Sequence, residues 1–95
     1  MTGQRSFITI QQIDIQHRQL YAQTEALKRQ LSQMEADRIA CESAIACGYS
    51  DRYMINKLNQ LKHNITRMQS VIRQNMNKLA ELERKYNSQI SKMYR

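Results

Sequence analysis

Ile45-Ala46-Cys47-Gly48-Tyr49-Ser50-Asp51-Arg52-Tyr53-Met54 is the stretch whose reading decides the fold. The chain of 95 residues contains no proline and two glycines, Gly3 and Gly48, so a reversal anywhere but here has almost nothing to build on. Gly48 can take the left-handed conformation that ends one helix. Ser50 can cap the next, and Asp51 places negative charge on its first turn, where amide donors lack intrahelical partners. Tyr49 and Met54 have the spacing of a hydrophobic staple across that start. Cys47 to Ser50 is therefore expected to be one corner, of a length that joins adjacent antiparallel helices.

Outward from the corner, apolar residues recur in alternating steps of three and four. Towards the N-terminus the seam runs Ile45, Cys41, Arg38, Met34, Leu31, Leu27, Thr24, Leu20, His17, Ile13 and Ile10. Towards the C-terminus it runs Met54, Leu58, Leu61, Ile65, Met68, Ile72, Asn75, Leu79, Leu82, Tyr86, Gln89 and Met93. This rhythm is that of heptads whose a and d positions face a partner helix. Thr9 with Gln12 has the spacing of a capping box, and Ile8 with Ile13 that of a second staple. The expected organisation is a short tail over residues 1–8 and one hairpin over 9–95: a helix over 9–47, a corner over 47–50 and a helix over 51–94. The class is all-α, an antiparallel two-helix coiled-coil hairpin.

Folding the seams back with Ile45 facing Met54 sets Cys41 against Leu58, Met34 against Ile65 and Leu27 against Ile72, the numbers of each pair totalling 99. Continued, the rule brings Thr24 opposite Asn75, two polar seam residues in one layer. A hydroxyl and an amide that bond each other are less costly inside a seam than either alone, and a slip of one heptad would strand both. Thr24 and Asn75 are expected to set register. The plainer reading is a wet spot in a surface helix.

Composition excludes several classes. There is no tryptophan and one phenylalanine, Phe7, too little for a rounded aromatic core. The longest apolar run, Ala44-Ile45-Ala46-Cys47, is far short of the ~18 residues that cross a bilayer, and residues 1–10 lack the apolar block of a signal peptide. A cytoplasmic protein with no membrane insertion is expected. Cys41 and Cys47 lie six apart on one expected helix, roughly 9 Å along its axis, too far for a disulfide. Cys41 reads as core filler and Cys47 as a helix-end residue.

The positions flanking the seam differ in chemistry. On one side the register brings Phe7 near Ile90, Tyr21 near Met76, and Glu42 near Ile55, leaving more apolar surface than two helices need. Phe7, Tyr21, Ile55, Met76 and Ile90 thus form a candidate partner-binding flank, for self-association, a dimer first, or for a helix of another protein. The other side carries Lys57, Lys78, Lys85 and Lys92. Residues 1–50 hold five basic and five acidic side chains, whereas residues 51–95 hold ten and three, so the formal net charge of +7 belongs to the second helix. A lysine row is most simply a solvated face. Its functional reading is a flank for acidic protein surface or for phosphates.

No motif carries catalysis. His17 and His63 fall at distant levels, there is no phosphate-binding glycine loop, and no Cys-x-x-Cys or His-Glu-x-x-His spacing occurs. No enzyme, cofactor or metal is expected. The expected function is a coiled-coil interaction module, an adaptor, assembly factor or chaperone-like protein with a protein partner. The alternative is a helical-hairpin protein that lays its basic second helix on RNA or DNA. The outline resembles plasmid copy-control RNA-binding hairpins, stalk proteins of bacterial export machines and small secretion chaperones. That likeness is one of architecture and transfers no residue roles.

Overall fold

The computed structural model describes the backbone of residues 2–94 and the side chains of residues 8–94. Helix α1 spans Thr2–Ala46 and helix α2 spans Arg52–Met93, 45 and 42 residues. The two pack against each other as an all-α hairpin, with no strand among the described residues.

The corner forms where expected, and its hydrogen bonds explain why. Gly48 has φ 102°, a conformation L side chains rarely adopt. With the chain turned there, the Gly48 amide donates to the Ile45 carbonyl at 3.1 Å and the Tyr49 amide to the Ala44 carbonyl at 3.0 Å. Together these make a Schellman ending, which satisfies carbonyls that the last turn of α1 would otherwise leave open. On the far side, the Met54 amide donates to Asp51 Oδ1 at 2.8 Å, and the Ile55 amide to the Asp51 carbonyl at 3.1 Å. Asp51, rather than Ser50, is therefore the N-cap of α2. Its carboxylate reaches an orphan amide three residues on while its own carbonyl accepts the first helical bond.

A second difference lies at the start. The helix begins at Thr2, so residues 2–8 are helical where a tail was expected, and Thr9 lies inside α1. The capping-box pattern is a short one, and within a helix the amides it would serve already have backbone partners. Only Gly3 in this stretch is a poor helix former, and it sits in the first turn, where little is lost.

The packing divides into two units. The corner unit is Ala26–Ile72, and the terminal unit joins Met1–Glu25 with Arg73–Arg95. In the corner unit the core residues are Cys41, 3% exposed, with Ile65 and Ile72. Leu27, Leu31, Met34, Ile45, Met54, Leu58, Leu61 and Met68 are half-buried beside them. In the terminal unit the core residues are Ile13, Leu79 and Thr24, the last only 1% exposed. Every described residue of α2 that is withdrawn from solvent lies on the expected seam, except Ile90. Helix α1 keeps its whole expected seam as well, but half-buries flanking positions too, among them Ala26, Glu35, Asp37 and Glu42.

Arg38 shows how a charge is tolerated on the seam. Its guanidinium donates to both carboxylate oxygens of Glu42, at 3.1 and 3.2 Å, one helical turn on along α1. The planar fork turns out of the seam to its partner while the aliphatic stem stays on it.

Candidate interaction flanks

The Thr24 and Asn75 layer is arranged differently from the expectation. The Thr24 hydroxyl donates to the Leu20 carbonyl of its own helix at 2.7 Å, and no hydrogen bond joins it to Asn75. A threonine in mid-helix can always reach the carbonyl four residues back, and doing so satisfies the buried hydroxyl without a partner across the seam. Thr24 is thus a packing position that leaves its methyl for the core, and Asn75 is half-buried beside it. The hydrogen-bonded register pair does not form.

On the apolar flank, the terminal unit presents Tyr21, 54% exposed, and Met76, 50% exposed. The Tyr21 ring stacks on His17, with centroids 6.4 Å apart and planes 12° from parallel. His17 sits half-buried on the seam, and its Nε2 lies 3.1 Å from Glu83 Oε1 of α2. That bond, made within one residue of the level assigned by the register rule, ties the two helix segments together here. Next to it a shallow hollow of about 330 Å³ has Ile13, Leu82 and Tyr86 on its apolar side and Asp14, His17 and Glu83 on its polar side. Asp14 is held by Arg18 at 3.1 Å.

Ile90, expected on this flank, is half-buried, whereas Met93, expected on the seam, is 49% exposed. A straight helix drifts by about 20° per heptad against a strict seven-residue repeat, which turns the flank position next to d inward over several heptads. Met93 is the last residue of α2, where the seam ends. In the corner unit, Ile55, Ile39 and Val71 are exposed apolar residues. The side chain of Phe7 lies outside the described residues.

The lysines of the basic flank are exposed in each unit. Lys57, in the corner unit, and Lys78, Lys85 and Lys92, in the terminal unit, are all exposed. Lys85 Nζ lies 3.5 Å from Glu81 Oε1, while Lys57, Lys78 and Lys92 have no ion pair among the described residues. Across the helix pair in the terminal unit, Gln16 and Gln23 face Lys85 and Lys78 over a groove of about 330 Å³ with Leu20 and Leu82 at its floor. A neighbouring hollow of about 580 Å³ adds Ile13 to the floor and Lys85, Arg84 and Gln12 to the walls.

Among the described residues no group of three His, Cys, Asp or Glu side chains is placed to hold a metal ion. Both cysteines are free, Cys41 buried and Cys47 exposed at the corner. No described helix is long and apolar enough to cross a membrane. Tyr49, expected to staple against Met54, is 71% exposed, and with Asp51 as N-cap it lies one residue before the staple position; Tyr53, off the seam, is equally exposed. Asp51 was also passed over as a cap, although Asp, like Ser, ranks among the best N-cap residues. No family model, curated protein or solved structure matches the chain.

Proposed function

We propose that this protein is a non-enzymatic coiled-coil interaction module, an adaptor, assembly factor or chaperone-like hairpin that binds protein through two unlike flanks. The observation that carries the reading is their coexistence on one scaffold. Tyr21 and Met76 stand half in water on one side, while on the other a lysine row stands with one acid, Glu81, beside it. Helices that only had to satisfy each other would keep the first flank polar and pair the charges of the second.

In this reading the apolar flank meets the helices of a second copy in a dimeric four-helix bundle, and the basic flank stays free for a partner.

Replacing Tyr21 and Met76 together by serine tests it. Both side chains lie off the seam, so helix content should persist while the mass measured by light scattering falls to that of one chain. An unchanged mass together with unchanged partner affinity would remove the apolar flank from the proposal.

Lys57, Lys78 and Lys92, exposed and without an ion pair among the described residues, favour a second reading, in which α2 lies on RNA or DNA phosphates. Affinity would then fall steeply with salt as counterions are released, and failure to retain either nucleic acid at low salt would eliminate it.

A further inference from the structure

We infer that the lysine-walled groove of the terminal unit is the seat for an acidic α-helix of a partner protein, with carboxylates repeating every seven residues. This rests on the interaction-module reading and names the occupant of one of its flanks.

Spacing is the first argument. Lys78 and Lys85 wall the groove one seven-residue step apart on α2, about 10.5 Å along the axis, and Lys92 continues the row one step beyond it. A helix with glutamates at the same step, laid along the groove and past its end, meets them one for one. A duplex strand carries a phosphate about every 3.4 Å of axis, so the row would match roughly one phosphate in three.

The floor is the second. Between the polar walls lie Leu20 and Leu82, with Ile13 in the adjoining hollow. A helix brings apolar residues three and four positions from its acids onto that floor, as one helix packs on another. A phosphate backbone would hold charge over leucine side chains and gain nothing from them.

A second copy of this chain is a poor occupant. It carries a formal net charge of +7, and its only pair of carboxylates at a single seven-residue step is Glu35 and Glu42. Of these, Glu42 is already bound by Arg38. The partner therefore supplies its own acidic helix.

Glu81 makes the inference sharper. It occupies Lys85 at 3.5 Å, both side chains being largely exposed, and an incoming carboxylate must displace it. Its removal should strengthen binding, which a merely solubilising lysine face would not show.

The test uses the full chain and two synthetic helical peptides of identical composition. One has glutamate at every seventh position with leucine beside it, the other has the same residues shuffled, and binding is read by fluorescence anisotropy at physiological salt. The ordered peptide should bind on the order of tenfold more tightly than the shuffled one, and K78Q/K85Q/K92Q should abolish that difference. Glu81→Gln should tighten the ordered peptide a few-fold, with circular dichroism unchanged in every variant. Equal binding of the two peptides, indifference to the lysine changes, or displacement of the peptide by an oligonucleotide of equal charge would overturn the inference. The wider reading is tested apart from it. If the groove fails while the Tyr21 and Met76 variant still loses assembly mass, the module stands without this seat. If both fail, both fall.

Discussion

The carboxylate of Asp51 accepts the amide of Met54 at 2.8 Å, and this one bond decides where α2 begins. Ser50, one residue earlier, has the chemistry of a cap but not the position. Asp51→Ala should therefore cost about 1 kcal/mol of stability, and Ser50→Ala a few tenths at most. Urea titration followed by circular dichroism reads both, and the reverse order would show that the cap had been misassigned.

Gly48→Ala isolates a backbone effect. A Cβ there would meet nothing within 4 Å, so no clash is created and only the φ of 102° opposes the change. The expected loss is about 1–2 kcal/mol. Gly48→Asn should lose less, because asparagine visits this region more readily. A neutral alanine variant in thermal melts would mean that the corner can re-form without the left-handed residue.

Thr24 and Asn75 separate two accounts of the polar layer. The Leu20 carbonyl that accepts the Thr24 hydroxyl also belongs to the helix ladder, so removing the hydroxyl strands nothing. Thr24→Val should be neutral or stabilising, and Asn75→Leu should stabilise by about 1 kcal/mol through added apolar burial. Had the two side chains been hydrogen-bonded across the seam, each change alone would cost about 1–3 kcal/mol. Denaturation of the two single variants decides between these.

The cysteines should differ in access to reagents. Cys47 is exposed at the corner and Cys41 is buried in the corner unit. Under native conditions a maleimide should add once quickly, with the second addition slow and hastened by denaturant, as mass spectrometry would record. Two fast additions would show that the corner unit opens readily around Cys41.

Much of the fold could be read from residue order. Nearly all of the seam, from Ile10 to Ile45 and from Met54 to Gln89, is withdrawn from water where the three-and-four rhythm placed it. Gly48 ends α1 as its lack of a Cβ suggests. The flanks were legible in part. Tyr21, Ile55, Met76 and the four lysines are exposed, while Ile90 turns inward after several heptads of accumulated drift.

Residue order by itself determined the repeat, the single corner and the side on which positive charge gathers. These are properties of helical periodicity and composition, which repeat identically along the chain. The folded structure decided the start at Thr2, the choice of Asp51 over Ser50, the turn of the Thr24 hydroxyl back onto its own helix and the bond between His17 and Glu83. The last three are competitions among several polar atoms for one partner. The cap and the threonine bond are settled by geometry of a few tenths of an ångström within one helix, and only the bond between His17 and Glu83 needs both helices in place.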